Sequence, residues 1–325
     1  MKQVVTVLGS GAFGTSVAQL LADNGHTVNL WCYEKDVGLD IQNNSENKKY
    51  LPGIKLNPNI NPTSELNIAL QDSKCIFEAI PVKFLRKILI QAKSFLKNEQ
   101  ILVVLSKGIE QDTLLLPTQI LDDVFDNQIK KAVMAGPNFA SEIVKRFNTA
   151  TLVASGDKKI NQDIKKLLSN DYFKVKLSSD VIGIQVGGAI KNVICLASGF
   201  IQGFCGSRNS LAFLLTNGLQ EMEKLAVCLG GKKETIYGLS GFGDLVLSAT
   251  SNLSKNNRVG NLIGQGKTID DLKKEFTTLP EGINTVVSIY DLIKKCDLDL
   301  PICKQTYKVI FEGKSIKEFL NDIFL

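Results

Sequence analysis

Histidine is almost absent from this chain, which has a single one, His26, among 325 residues. His26 lies in Asn24-Gly25-His26, between a predicted helix and a predicted strand, where a packing or capping role is expected. Any proton transfer by this protein must therefore use another acid/base group, and lysine can serve when burial or nearby positive charge lowers its pKa.

Paired cysteines are missing as well. The seven cysteines are odd in number and never occur as CxxC. Disulfides and a zinc site are the alternatives, but this pattern favours buried free thiols in a reducing compartment, and no metal is expected. The seven are Cys32, Cys75, Cys195, Cys205, Cys228, Cys296 and Cys303.

Long apolar runs and concentrated charge are also lacking. No window approaches the roughly 18 uninterrupted apolar residues of a membrane span, and no stretch resembles a signal peptide, so a cytoplasmic protein without a membrane span is expected. The net charge of +5 comes from scattered lysines. This distribution argues against a nucleic-acid partner and weakly favours anionic small molecules.

Short β-branched runs alternate with amphipathic stretches in the first half of the chain. The predicted strands are Gln3–Leu8, Thr27–Cys32, Lys74–Ile80, Ile101–Leu105, Lys131–Ala135 and Thr149–Ala154. The predicted helices are Phe13–Asn24, Val82–Leu96, Asp112–Phe125 and Asn138–Lys145. This alternation predicts an α/β fold with a Rossmann-like doubly wound, parallel sheet over residues 1–178. The Asn- and Pro-rich segment Asn47–Pro62 is interpreted as an excursion from the sheet.

Strand patterns stop after Ser178, and only helical patterns broken by Gly, Asn and Pro follow. The sequence therefore predicts an all-helical C-terminal domain over residues 179–325. Its predicted helices are Val181–Phe204, Ser210–Leu229, Phe242–Ala249, Arg258–Gln265, Ile283–Lys295 and Gln305–Phe311.

A GxGxxG motif, Gly9-Ser10-Gly11-Ala12-Phe13-Gly14, directly follows the first strand and opens a helix. In this setting the motif predicts a dinucleotide site, with the pyrophosphate on backbone N–H groups at the helix N-terminus. A turn kept for packing alone and a methyltransferase turn are the alternatives.

Glu34 lies about twenty residues beyond the motif, where an acid can accept hydrogen bonds from the ribose of NAD. No arginine adjoins it to hold a 2′-phosphate, although Lys35 could. The pattern slightly favours NAD over NADP, and an exposed loop acid is the alternative.

Two lysines differ from the solvated majority. Lys107 follows the predicted strand Ile101–Leu105, at the carboxyl edge where open α/β sheets bind ligands. Lys191 lies on an apolar helix beside Gly187 and Gly188, and mid-helix glycines suggest close packing. Either lysine could carry chemistry, or Lys191 could extend its ammonium group to solvent.

Six segments resemble NAD(P)-dependent glycerol-3-phosphate dehydrogenase of the bacterial type, in order along nearly the whole chain. They are GSGAFG, SKGIE, AGPNFASEI, VGGAIKNVI, GFGDLVLSAT and SNLSKNNRVG. The resemblance implies reversible hydride transfer between glycerol 3-phosphate and dihydroxyacetone phosphate with NAD or NADP. It also implies a role in supplying glycerol phosphate for phospholipid synthesis.

Carried over by position, the resemblance implies Lys191 as the proton acceptor in the oxidation of glycerol 3-phosphate. Lys107 would contact substrate and nicotinamide, and Asp244 would orient the lysine or the substrate hydroxyls. The implied substrate contacts are Lys107, Gly136, Asn138, Lys191, Asp244, Ser254, Lys255 and Asn256. The implied cofactor contacts are Gly9, Gly11, Ala12, Phe13, Gly14, Tyr33, Lys107, Ala140, Lys255 and Glu281.

Four of these positions have simpler structural alternatives. Asp244 and Ser254 could cap helices, and Gly136-Pro137-Asn138 could be a plain strand-to-helix turn.

The chain departs from the family pattern at three positions. Lys255 and Asn217 stand where arginine is usual, and Asn138 stands where serine or threonine is usual. Lysine presents a point charge to phosphate instead of a planar fork, so either Lys255 substitutes for arginine with weaker geometry or Arg258 reaches the same anion. Substrate affinity is the property that these departures affect.

Two other functions are compatible with the pattern: a related dehydrogenase of hydroxy or keto acids, and a nucleotide-binding sensor without turnover. The segments SNLSKNN and GFGDL count against the first, and intact Lys107, Lys191 and Asp244 count against the second. A homodimer through the helical domain is also expected.

Overall fold

The computed structural model of the protein describes residues 2–97, 99–276 and 278–325. The chain forms two compact units: unit 1 is Met1–Ser106 with Pro117–Val181, and unit 2 is Lys107–Leu116 with Ile182–Leu325.

Unit 1 is built on an eight-stranded sheet with the order β3-β2-β1-β4-β5-β6-β7-β8. Its strands are Val4–Leu8 (β1), Thr27–Trp31 (β2), Ile60–Thr63 (β3), Cys75–Glu78 (β4), Ile101–Val104 (β5), Lys130–Ala135 (β6), Thr149–Ala154 (β7) and Phe173–Ser178 (β8). Neighbouring strands pair in parallel except β6 and β7. The strand order reverses at β1, and open α/β sheets bind ligands beyond the carboxyl ends of the strands at such a point.

Helices connect the strands of this sheet. They are Ala12–Asp23 (α1), Lys35–Asn44 (α2), Leu66–Leu70 (α3), Val82–Ala92 (α4), Pro117–Phe125 (α5), Ala140–Ile143 (α6) and Lys158–Leu168 (α7), with a 3-10 turn at Lys93–Phe95. Val7, Leu20 and Phe77 are fully buried in the core between sheet and helices. The predicted Rossmann-like α/β fold is confirmed.

The two edge strands were not predicted, and the sheet is not parallel throughout. β3 begins inside the segment interpreted as an excursion and ends one residue beyond it; its Pro62 cannot donate a backbone hydrogen bond, which an edge strand tolerates. β8 alternates buried Phe173 and Val175 with exposed Lys174 and Lys176, a period-two pattern that the sequence does show. Antiparallel pairing of β6 and β7 corrects the expectation of a purely parallel sheet.

Two predicted helices are shorter than expected, and α2, α3 and α7 were missed. The helix predicted from Asp112 begins only at Pro117, because Asp112 and Leu114 have left-handed φ values of 65° and 60°. The helix predicted over Asn138–Lys145 spans only Ala140–Ile143.

Unit 2 is helical, and no strand occurs in the parts of it that the structure describes. Its helices are Val181–Phe204 (α8), Arg208–Cys228 (α9), Lys233–Ile236 (α10), Asp244–Ala249 (α11), Lys255–Gly264 (α12), Ile269–Glu275 (α13), Glu281–Cys296 (α14), Pro301–Phe311 (α15) and Ile316–Phe324 (α16). Helices α10, α13 and α16 were not predicted, whereas the all-helical character of this half is confirmed.

The segment Lys107–Leu116 belongs to unit 2, although the predicted boundary at 178/179 placed it in the first domain. Its Ile109 and Leu116 are buried in the core of the helical unit, and Ser288 Oγ donates to Ile109 O at 2.9 Å. Apolar burial therefore attaches the segment to the helices.

Helix α8 is long and apolar enough, by length and composition alone, to cross a membrane. However, 89% of its apolar window is buried inside the protein, as in the central helix of a packed core.

Candidate active site

The turn between β1 and α1 has the form of an anion cradle. Gly9 has a φ of +110°, and a Cβ there would lie 2.8 Å from Ala79 O. A Cβ on Gly14 would lie 2.0 Å from Gly9 O, whereas a Cβ on Gly11 would meet no atom within 4 Å. Packing therefore requires the first and third glycines, and the second leaves open space where a diphosphate can approach the backbone.

The N-terminus of α1 is suited to an anion. Gly11 is its N-cap without a side-chain cap, and the first turn, with Ala12 and Phe13, contains no acidic residue. Backbone N–H groups and the helix dipole therefore favour negative charge there. Buried Asn47, which was not predicted from the sequence, donates from Nδ2 to Ser10 O and Thr15 Oγ1, both at 2.8 Å. This arrangement fits a dinucleotide pyrophosphate.

Alanine substitutions at Gly11 and Gly14 should have different effects. Gly11→Ala is expected to keep the wild-type melting temperature but to weaken NADH binding about tenfold or more, because its Cβ fills only the open approach. Gly14→Ala is expected to lower the melting temperature by several degrees, because its Cβ overlaps Gly9 O. Thermal unfolding and NADH titration check both, and an unchanged NADH affinity in Gly11→Ala would contradict the assignment.

Glu34, the N-cap of α2, presents a carboxylate held from two sides. Its Oε1 lies 2.7 Å from Lys49 Nζ, and Tyr50 OH donates to its Oε2 at 2.6 Å. The adjacent Tyr33, a predicted cofactor contact, is 74% exposed. Lys49 and Tyr50 were missed because they lie in the segment interpreted as an excursion. The result is an oriented acceptor of the kind that binds ribose hydroxyls.

Lys107, Lys191 and Asp244 form one cluster within unit 2. Lys107 Nζ lies 2.6 Å from Asp244 Oδ2, and Lys191 Nζ lies 3.0 Å from Asp244 Oδ1. Lys191 Nζ also donates to Ser248 Oγ at 2.8 Å, and Ser248 Oγ donates to Asp244 Oδ1 at 3.2 Å. Asp244 begins α11 directly after a π-helical turn, Leu239–Gly243. Two ammonium groups and one carboxylate leave a positive charge at this site.

Glycines on α8 make the convergence possible. A Cβ on Gly188 would lie 3.3 Å from Lys107 Cγ, so its absence leaves room for the lysine stem. A Cβ on Gly187 would lie 2.9 Å from Ser240 O, so the π-helical turn can approach α8 closely. The predicted packing reason for these glycines is confirmed.

Burial and mutual pairing set the charge states in the cluster. Burial lowers the pKa of Lys107 below its ordinary value, with the charge of Lys191 adding to this and Asp244 opposing it. Burial alone would raise the pKa of Asp244, but the two ammonium groups outweigh it and hold the pKa of Asp244 below its ordinary value. Burial raises the pKa of the neighbouring Cys195 thiol to about 12, so this cysteine is not a thiolate at neutral pH.

Ser254 and Asn256 have defined structural contacts. Ser254 is the N-cap of α12, and its Oγ accepts from Asn257 N at 3.3 Å. Asn256 Nδ2 donates to Asn192 Oδ1 at 3.0 Å, and its Oδ1 accepts from Gly282 N at 3.0 Å, next to Glu281. The structure thus brings Asn256 and the Glu281-Gly282 pair together.

The cations near α12 are oriented differently from each other. Lys255 is exposed at the start of the helix. The guanidinium of Arg258 lies over the Phe276 ring, with Cζ 5.9 Å from its centroid.

Asn217 Nδ2 donates to Phe213 O of its own helix at 2.9 Å, so this amide is engaged locally.

The predicted contacts of the AGPNFA turn lie in unit 1, beyond β6. Asn138 is buried, and its Nδ2 donates to Thr151 Oγ1 at 3.2 Å. Gly136 packs against the same strand, since a Cβ there would lie 3.2 Å from Thr151 Cα. Ala140 is the first residue of α6.

His26 lies away from the strands' carboxyl edge. It is buried, and burial lowers its pKa below the ordinary value. It lines a cavity of about 1260 Å³ at the amino-terminal edge of the sheet, together with residues that include Gln3, Cys75 and Ile101 from the starts of strands. This position agrees with the predicted packing role.

A Rossmann sheet with a diphosphate-sized glycine turn, in a chain that also carries a buried Lys–Asp–Lys cluster, is typical of a nicotinamide-dependent dehydrogenase. Family comparison gives a narrower assignment. Residues 4–161 match the N-terminal model of NAD-dependent glycerol-3-phosphate dehydrogenase, and residues 180–321 match the C-terminal model. The chain belongs to this family, which confirms the predicted resemblance.

Individual relatives agree over nearly the full length. The chain is 38% identical to the glycerol-3-phosphate dehydrogenase (NAD(P)+) of Citrifermentans bemidjiense over 325 residues, covering 99% of this chain and 97% of that protein. It is 36% identical to that of Bacillus subtilis over 321 residues, covering 98% and 93%. The crystal structure of glycerol-3-phosphate dehydrogenase from Coxiella burnetii superposes with a TM-score of 0.96 at 28% identity, covering 99% of each chain.

Proposed function

We propose that this chain interconverts sn-glycerol 3-phosphate and dihydroxyacetone phosphate with NAD or NADP. The observation that carries the proposal is the buried cluster in which both lysine ammonium groups share the Asp244 carboxylate. Its family membership supports the same reaction, as do the enzyme names of its relatives. The net positive charge of the cluster suits an anionic substrate.

In this reaction Lys191 Nζ gives a proton to the carbonyl oxygen of dihydroxyacetone phosphate and takes it back from the glycerol phosphate hydroxyl. Asp244 Oδ1 and Ser248 Oγ orient that ammonium group, since they occupy two of its donor directions. Lys107 stabilises negative charge on the reacting oxygen. When bound, the nicotinamide cofactor supplies or accepts the hydride at C2 of the substrate.

Further residues are proposed from their positions in the family pattern. Ser254, Lys255 and Asn256, at the start of α12, would contact the substrate phosphate, because a helix N-terminus with an exposed lysine favours an anion. Gly136 and Asn138 are proposed as further substrate contacts. Gly9, Gly11, Ala12, Phe13, Gly14, Tyr33, Lys107, Ala140, Lys255 and Glu281 would contact the cofactor.

The direct test is NADH and NADPH oxidation at 340 nm with dihydroxyacetone phosphate as the substrate. Turnover that requires the phosphorylated ketone would support the proposal. An enzyme that binds NADH but does not oxidise it with dihydroxyacetone phosphate would contradict it, and keto acids would then be the next substrates to try.

We infer that NADH is the preferred cofactor. The oriented Glu34 carboxylate can accept from ribose hydroxyls but would repel a 2′-phosphate, and Lys49 is engaged by that carboxylate at 2.7 Å. The Glu34 carboxylate alone makes the site prefer NADH over NADPH. Without this carboxylate, Lys49 would be available to bind the 2′-phosphate of NADPH.

Glu34→Gln is therefore expected to raise the ratio of kcat/KM for NADPH over NADH by about tenfold or more. Most of this change should be a lower KM for NADPH, and the double variant Glu34→Gln/Lys49→Met should lose most of the gain. Cofactor affinity can be measured independently of turnover through quenching of the single tryptophan, Trp31, at the end of β2. A wild-type preference for NADPH, or an unchanged ratio in Glu34→Gln, would refute the inference.

We propose a cytoplasmic location and a homodimer, as predicted from the sequence. Seven free cysteines, four of them buried, support the reducing compartment. Light scattering of the purified chain tests the dimer.

A further inference from the structure

Glu78 is a buried carboxyl that neither the glycine turn nor the lysine cluster explains. It is the last residue of β4, and its exposed fraction is 0%. Carboxyl groups are rarely buried so completely unless bonding partners or a task hold them there. Burial raises its pKa to about 7, against the lowering effect of hydrogen bonds from Ser106.

The hydrogen bonds of Glu78 fasten the chain where it leaves β5. Glu78 Oε1 accepts from Ser106 N at 3.1 Å and from Ser106 Oγ. The main-chain oxygen of Glu78 accepts from Leu105 N at 2.9 Å. Lys107 is the next residue, so these bonds fix the backbone from which its side chain starts.

The residue after Glu78 meets the glycine turn. Ala79 N donates to Leu8 O at 2.8 Å, and the position of a Cβ on Gly9 is 2.8 Å from Ala79 O. Two consecutive residues therefore contact both the turn that fits the pyrophosphate and the two residues that follow β5, Leu105 and Ser106, directly before Lys107.

We propose that Glu78 is a positioning residue for the reaction: by holding Ser106 it fixes the backbone of the adjacent residue, Lys107. This inference rests on the proposed role of Lys107. Glu78 touches neither the reacting atoms nor the lysine ammonium groups and acts only through the Ser106-Lys107 backbone. A small displacement of a positioned group can cost a large factor in rate, so the expected effect is on kcat.

A purely structural role would have a different signature. If Glu78 only stabilised the turn between β5 and the following segment, its loss would lower the melting temperature, and any rate effect would be independent of Lys107. If it acts through Lys107, its loss should matter little once the lysine is gone, because the effects of coupled residues are not additive.

The test is a double-mutant cycle between Glu78→Leu and Lys107→Ala, with Glu78→Gln as the matched variant. Glu78→Leu removes the acceptor and is expected to lower kcat about 100-fold, with the Kd for NADH within about threefold of wild type. Glu78→Gln keeps an acceptor oxygen for Ser106, and its kcat should stay within about fivefold of wild type. In the Lys107→Ala background, Glu78→Leu should lower kcat by less than about threefold.

Two results would overturn the inference: an unchanged kcat in Glu78→Leu, or equal factors in both backgrounds. If Glu78→Leu fails to fold, Ser106→Ala, which removes only the hydroxyl donor, is measured in both backgrounds by the same criterion. Absence of turnover in the wild type counts against the proposed function. An active wild type with additive effects counts against the positioning role alone.

Discussion

Replacing Lys191 by methionine is expected to lower kcat for dihydroxyacetone phosphate reduction by about three to four orders of magnitude. Methionine keeps most of the volume of the lysine stem, so α8 should pack as before, but no proton donor remains at the carbonyl oxygen. Lys107 Nζ bonds the other carboxylate oxygen, Asp244 Oδ2, and is expected to keep stabilising charge on the reacting oxygen without supplying the proton. The measurement is steady-state oxidation of NADH and NADPH.

The matched control is Lys304→Met, which removes an exposed lysine from helix α15 of the same unit. It should leave kcat, KM and the NADH affinity unchanged. The Kd for NADH should also be unchanged in Lys191→Met, which separates loss of chemistry from loss of binding. A Lys191→Met enzyme within tenfold of wild-type kcat would show that another group carries the proton.

The lysine cluster could be predicted only in part from the sequence. Lys107 follows a predicted strand, and Lys191 stands out on an apolar helix, so each was identified by local pattern. Their meeting at Asp244 depends on the packing of segments far apart in the chain, which no local pattern encodes. Ser248 was not predicted, although the sequence contains a signal for it. It lies four residues after Asp244 and therefore on the same helix face.

The residues on the cofactor side could also be predicted only in part from the sequence. The glycine motif and Glu34 were identified by spacing from the first strand, because their roles are local to one βαβ unit. Asn47, Lys49 and Tyr50 were missed because an Asn- and Pro-rich segment resembles a loop without function. That segment returns to the glycine turn and to Glu34 through side-chain hydrogen bonds.

The missed parts of the fold have physical causes too. The edge strand β3 contains Pro62, which weakens a strand pattern, and edge strands need fewer backbone hydrogen bonds than central ones. The segment Lys107–Leu116 follows a strand of unit 1 in sequence but buries Ile109 and Leu116 in the core of unit 2. The position of the segment in the sequence predicted that it belongs to unit 1, but its buried apolar residues pack in unit 2.

Asp244→Asn is expected to be damaging in two separable ways. It should lower kcat about 100-fold or more, because the amide cannot hold two ammonium groups as the carboxylate does. It should also lower the free energy of unfolding by about 3 kcal/mol near neutral pH, because buried Lys191 and partly buried Lys107 lose their counter-ion. Urea unfolding gives the second quantity, and Asp291→Asn, which alters a surface pair with Lys294, should unfold like wild type.

The stability loss in Asp244→Asn should shrink as the pH rises from neutral toward the ordinary pKa of lysine. The pKa of Lys107 is already lowered by burial, and Asp244 is the main group that opposes this lowering. Without it, the folded protein releases the Lys107 proton at lower pH than the unfolded chain does, so stability rises with pH across that interval. In the wild type, Asp244 contributes stability above its ordinary pKa and loses it as the pH falls through its lowered value in the folded protein. A deficit in Asp244→Asn that grows with pH would mean that the two lysines are not the cations that this carboxylate neutralises.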